Sequence, residues 1–149
     1  MLKWLTDNAT VAREKLATEV AKYKNADFRD AVVAGCALVA AADGDISSEE
    51  KQKMIGYMQT SNELKVFKMT DVMKSFNDIV EKFEFDKGIG QGEALKLIGK
   101  LKTKPEEAQL LVRVCCAIGA ADGDFDELER AAVRTICTEL GLDAGNFDL

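Results

Sequence analysis

The chain has 149 residues, a length that fits one domain or two very small ones. Its 26 acidic residues outnumber 20 basic ones, giving a formal charge of −6, and it has no histidine. That absence excludes a Ser-His-Asp triad, a Cys-His dyad, His-ligated zinc or haem and an imidazole switch near neutral pH. A hydrophobic share of 47% supports a real core and excludes disorder along the whole chain.

An isoelectric point of about 4.8 argues against a nucleic-acid partner, which a basic stripe would attract. The opening Met1 to Asp7 meets charge before an apolar run forms, so no signal peptide is expected there. The longest uncharged stretch, Ala31 to Ala42, is too short and alanine-rich to span a bilayer. The expectation is a soluble, cytoplasmic protein without direct membrane insertion.

With one proline and 11 glycines, the chain favours long helices. The first is expected over about Leu2 to Tyr23, where Leu5, Val11, Leu16, Val20 and Tyr23 make an imperfect apolar stripe. The second, Phe28 to about Ala42, is apolar nearly all round and therefore central. The third starts near Ser47 and carries Met54, Ile55 and Met58 on one face. A short helical turn over Glu63 to Phe67 follows, and Thr70 is expected to cap a fourth helix with Val72, Met73, Phe76, Ile79, Val80 and Phe83 at helical spacing.

Phe85 to Gly92 is glycine-rich and reads as a connection, with no strand before it and no Lys-Ser or Lys-Thr after it to make a phosphate loop. A fifth helix carries Leu95, Leu97, Ile98 and Leu101. Pro105 opens a sixth that runs to about Ala121. A seventh starts near Asp126 and stops at Gly141, leaving eight residues as a loosely held tail. The reading is all-α: a single compact domain, 1–149, of about seven helices.

Cys36, Cys115, Cys116 and Cys137 form no CxxC pair, and three of them sit in apolar, helix-like stretches. Core thiols are the expectation, with Cys137 the least obviously buried. Cys115 and Cys116 point about 100° apart on a helix, poorly placed to bond each other.

The most informative feature is an internal repeat. Residues 36–51 align without a gap on 115–130, an offset of 79, with identities at Cys36/Cys115, Ala41/Ala120, Ala42/Ala121, Asp43/Asp122, Gly44/Gly123, Asp45/Asp124 and Glu50/Glu129. Each half carries a small-residue helix, an Asp-Gly-Asp turn, an apolar residue, a cap and a new helix. The units, about 28–60 and 107–141, suggest two related helix-turn-helix halves with approximate two-fold symmetry.

Asp-Gly-Asp-Ile-Ser-x-x-Glu resembles the second half of an EF-hand loop, in which oxygen ligands, a turning glycine and a final glutamate surround Ca²⁺. The register fails upstream, where Val39 and Ala41, or Ile118 and Ala120, offer no side-chain oxygen. Each unit is at best half a site. Small residues let the two entering helices cross closely; crossing near their C-terminal ends would bring the turns together. Asp43, Asp45, Glu50, Asp122, Asp124 and Glu129 would then share a small volume. Six ionised carboxylates there call for a cation, and oxygen donors select a hard one, Ca²⁺, Mg²⁺ or Mn²⁺.

The competing reading is structural. Ser47-x-x-Glu50 is a capping box, and Asp126-x-x-Glu129 its aspartate version. Acids there also offset the helix macrodipole. Capping does not demand Asp45 and Asp124, nor the same pattern twice. Both hold together if one glutamate oxygen caps and the other binds.

At these residues the chain resembles the TerB family of tellurite-resistance proteins, over nearly its whole length. The likeness rests on the two Ala-Ala-Asp-Gly-Asp units ending in Glu50 and Glu129, on Ser48 to Gly56 and Glu63 to Phe67, and on Phe85-Asp86 leading to Ile89-Gly90-x-Gly92-Glu93. Pro105 to Gln109 adds to it. The resemblance implies an all-helical cytoplasmic component of a bacterial tellurium and stress-resistance system. It implies a divalent cation held by acids of the two repeats, and action with other tellurite-resistance proteins, among them a membrane component that recruits it to the inner face.

Three functions follow as expectations. The first is a non-enzymatic module that binds a cation and docks on partners. The second is an adaptor whose acidic turns only cap helices; Met54, Met58, Met69 and Met73 would suit its face, although core filling accounts for them better. The third, thiol chemistry on tellurite through Cys137, lacks a base or cationic setting beyond Arg134. Glu93 stays open as an extra acidic ligand.

Overall fold

The structure, a computed structural model, describes residues 2–6, 9–121 and 125–149. Every regular element among them is helical: α1 (Lys3–Thr6), α2 (Ala9–Val20), α3 (Ala26–Ala40), α4 (Ser48–Thr60), α5 (Met69–Phe85), α6 (Lys87–Gly99), α7 (Pro105–Gly119) and α8 (Glu127–Leu140), with 3-10 turns at Asn62–Leu64 and Ala144–Phe147. The all-α expectation is met. No helix among the described residues is long and apolar enough to cross a membrane.

The core is organised around α3. Every residue from Ala31 to Ala40 is buried, and α3 packs against α4, α5, α6, α7 and α8. Asn25 starts it by accepting the Phe28 N–H at 2.8 Å. Such a helix needs partners on all sides, which explains why its sequence lacks a polar face.

Gly35 lets α3 and α7 lie close, and Gly119 lets Phe125 fold back onto α7. A Cβ on Gly35 would collide with Cys115 Sγ, and one on Gly119 would stand 3.6 Å from Val39 Cγ1 and 2.7 Å from Phe125 Cε1. Gly35 to Val39 is one helical turn, and so is Cys115 to Gly119. The two contacts therefore run in the same sense along both helices, and both C-terminal ends lie at one end of the core.

The first predicted helix is covered by α1 and α2, with residues 7 and 8 outside the described set. Three expectations are corrected. Thr70 does not cap α5. The helix begins one residue earlier with Lys68 as N-cap and no side-chain bond there. The glycine-rich run is not a connection but the first turns of α6, because Asp86 accepts the Ile89 N–H at 3.0 Å and starts the helix. Gly90 is required there, since a Cβ would fall 2.7 Å from Phe83 Cα.

The tail, finally, is tied down. Phe147 is buried; Trp4 Nε1 donates to its carbonyl at 3.1 Å, and the Arg113 guanidinium lies 5.0 Å from its ring centroid. Lys3 N donates to Asp148 Oδ2 at 3.0 Å and Arg130 to the Asp148 carbonyl at 2.8 Å.

A buried ion pair, unforeseen from sequence, locks α2 to this frame. Glu63 is 1% exposed. Arg13 Nε and Nη2 donate to its two oxygens at 3.0 and 3.3 Å, Ser61 Oγ donates to Oε2, and Arg13 Nη1 reaches the Ala117 carbonyl at 3.4 Å. Every oxygen of the buried carboxylate is thus answered. Met54 and Met58 are buried, and Met69 and Met73 half-buried against the core, so the methionines are filling.

Gly35→Ala is expected to lower stability by about 1–3 kcal/mol, because the added methyl has no room beside Cys115. Gly56→Ala, where nothing lies within 4 Å of the added carbon, is expected to raise it by about 0.5–1 kcal/mol. Urea unfolding of the two variants checks the pair; equal effects would remove the packing explanation.

Candidate metal centre

The end of the core where α3 and α7 finish also holds the starts of α4 and α8. At the end of α3, Ala41 N donates to the Ala37 carbonyl and Ala42 N to that of Val39. At the end of α7, Ala120 N donates to Cys116 and Ala121 N to Ile118, the same bonds 79 residues on. Gly44 then takes φ +109, open to glycine and strained for other residues. Asp43 Oδ1 accepts the Asp45 N–H at 3.4 Å and shapes the turn.

Both capping boxes are formed. Glu50 N donates to Ser47 Oγ at 3.1 Å while Ser47 N donates to Glu50 Oε1 at 3.0 Å. In the other hairpin Glu129 N donates to Asp126 Oδ1 at 2.8 Å and Asp126 N to Glu129 Oε1 at 3.2 Å. The likeness holds for these hairpins rather than their surroundings, since α3 is central whereas α7 packs on α2, α3 and α8.

The hairpins share one cavity of about 210 Å³. Asp43 and Glu50 line it from the first; Asp126 and Glu129 line it from the second. Lys53, Met54 and Tyr57 of α4, Leu128 of α8 and the end of α3 complete the wall. The volume suits an ion with a few waters, each occupying about 30 Å³. It is below the roughly 300–1,000 Å³ of organic-ligand pockets.

Asp45 is not part of this wall: Lys87 Nζ of α6 stands 3.3 Å from its Oδ1. Glu93 pairs with Lys82 at 3.3 Å and is likewise absent from the wall. Arg134 binds Glu127 at 2.6 Å and holds that carboxyl below the usual range. Asp122 and Asp124 lie outside the described residues, as does any distance from Asp43 to Asp122. Among the described residues no three acidic or thiol groups converge closely enough to hold a metal ion. Asp126 was legible in sequence only as a cap; its place on the shared wall follows from the packing of α8.

The four thiols are buried and free of disulfides. Desolvation pushes Cys36 and Cys116 up to about 12, Cys137 to about 11 and Cys115 well above its ordinary value. Cys137, expected to be the most open, is 1% exposed.

A capping box after each of α3 and α7, at one end of an all-helical core, defines a helical-domain class rather than an EF-hand. Residues 29–149 match the family described as Tellurite resistance protein TerB, and the chain belongs to that family. It is 50% identical to the Tellurium resistance protein TerB of an Alcaligenes species over 105 residues, 70% of this chain and 86% of that protein. No solved structure matches the chain.

At pH 8 the thiols are protonated and shielded, so the folded protein is expected to react slowly with a thiol-specific disulfide reagent and all four to react once it is denatured. A fast stoichiometric burst from native protein, followed by absorbance, would contradict this burial.

Proposed function

We propose that this member of the tellurite-resistance family is a non-enzymatic component that binds one hard divalent cation, Ca²⁺, Mg²⁺ or Mn²⁺, between its two hairpins. It docks onto other tellurite-resistance proteins, including a membrane component that holds it at the inner face of the membrane. The family assignment supports tellurite resistance. The single observation supporting the cation is the cavity walled by Asp43, Glu50, Asp126 and Glu129 from both repeats.

In this reading the ion draws together acids that stand apart without it: Asp43 and the oxygen of Glu50 that its box does not use from one hairpin, and the matching oxygen of Glu129 from the other. Asp122 and Asp124, the sequence counterparts of Asp43 and Asp45, add to the set. Carboxylates without histidine favour an oxygen-seeking ion. Lys53 supplies the opposing charge on the wall when the cation is absent. The absence of histidine and the buried, protonated thiols support a non-catalytic role.

A second reading, an interaction adaptor whose turns only cap helices, is favoured by one observation: both boxes close without a cation. Two substitutions separate the readings. Asp43→Asn removes a ligand charge and leaves both boxes intact. Ser47→Ala removes a cap, costs about 1 kcal/mol of stability, and leaves the cavity acids.

In calorimetric titrations with Ca²⁺, Mg²⁺ and Mn²⁺, one saturable site is expected in the native protein. Asp43→Asn should weaken it about tenfold or more, Ser47→Ala should leave it largely unchanged, and Lys53→Gln should tighten it. Absence of a saturable site for all three cations would leave the adaptor reading in its place.

A further inference from the structure

A larger cavity lies elsewhere. It is an open groove of about 810 Å³ between α2 and α7, roofed by α1. Its floor is apolar: Leu16 and Leu110 are buried, Trp4 is half-buried, and Val11 is 41% exposed. Its walls carry four cations, Lys3, Lys15, Lys22 and Arg113, against two carboxylates, Glu19 and Glu106, in a chain whose formal charge is −6.

The two carboxylates are engaged within the groove. Lys22 Nζ donates to Glu19 at 3.0 Å, and the Tyr23 hydroxyl donates to Glu106 at 3.0 Å. Among the described residues no acidic side chain pairs with Lys15 or Arg113, while the Asp148 carboxylate accepts the Lys3 backbone N–H; Arg113 is held in place by its stacking over Phe147. An acidic protein thus gathers positive charge beside an apolar trough of the size that receives organic ligands, about 300–1,000 Å³. The wall from Lys3 to Tyr23 also precedes the residues that match the family, 29–149, so the groove depends on a segment beyond that match.

We propose that this groove binds an amphipathic anion, with one phosphate, sulfonate or carboxylate head against Lys15, Lys3 and Arg113 and an apolar body along Trp4, Val11, Leu16 and Leu110. The head replaces water around Lys15 and Arg113, which no acidic side chain among the described residues pairs with. The body covers apolar surface at about 25 cal/mol per Å² removed from water. The same chemistry is offered by a free amphiphile or by an anionic lipid.

Trp4 is the sole tryptophan and lines the groove, so its emission reports occupancy directly. Decyl phosphate, titrated below its micelle concentration, is expected to shift Trp4 emission saturably at one molecule per chain, whereas decanol binds much more weakly. Lys15→Glu and Val11→Glu, both at exposed positions, should each weaken decyl phosphate by at least about tenfold with an unchanged melting temperature.

Sedimentation with phosphatidylglycerol vesicles separates the sources. Retention that Lys15→Glu abolishes assigns a lipid, and no retention together with decyl phosphate binding assigns a free amphiphile; either supports the groove. The proposal is overturned if decyl phosphate leaves Trp4 unchanged, if decanol binds as well, or if both folded variants bind like the native chain.

Discussion

The close approach of α3 and α7 at Gly35 is the constraint from which the site follows. Cys115 occupies the space a side chain at position 35 would fill, and Phe125 the space a side chain at 119 would fill. Interiors packed at crystal-like density do not yield to such an addition without displacing a neighbour. Because the two contacts run in the same sense, both helices finish at one end, and both hairpins are delivered there together. The Arg13–Glu63 pair, which also holds the Ala117 carbonyl, fastens α2 and the turn after α4 to the last stretch of α7. The acidic end of the molecule is thus built from the middle outward.

That end is electrostatically mixed. Two helices present their C-termini, with unsatisfied carbonyls and partial negative charge. Two others present their N-termini, which favour acids. Glu50 and Glu129 answer the N-termini through their boxes. Asp43 is not consumed by a box, and it stands on the carbonyl side of the turn beside the end of α3. Capping therefore falls to Glu50 and Glu129 and not to Asp43, so a substitution at Asp43 leaves both boxes intact.

The parts of this arrangement that sequence reveals are those written locally. The 79-residue offset located both hairpins, both caps and the buried character of α3, because capping and helical periodicity depend on neighbours three or four positions away. The glycine-rich run 88–92 misleads because propensity alone makes it a loop; its helical state depends on Asp86 ahead of it and on Phe83 requiring a glycine at position 90. The tail misleads for a longer-range reason: Phe147 and Asp148 are held by Lys3 and Trp4, some 145 and 143 positions away. The Glu63 pair and the basic groove share that cause. Their residues are ordinary in their own windows and acquire meaning from helices brought together by the core. Asp45 was grouped with the cavity acids from spacing alone, but Lys87 at the start of α6 stands beside it instead.

The central claim is that a single cation lies between the two hairpins, and paramagnetic broadening by Mn²⁺ tests it most directly. With a small fraction of one equivalent of Mn²⁺, amide signals of residues 43–50 and 125–130 should broaden together, at the same metal concentration. Those at the start of α3, about 20 Å away along a helix rising 1.5 Å per residue, should persist. Broadening confined to one hairpin, or reaching neither, would contradict a site shared between them.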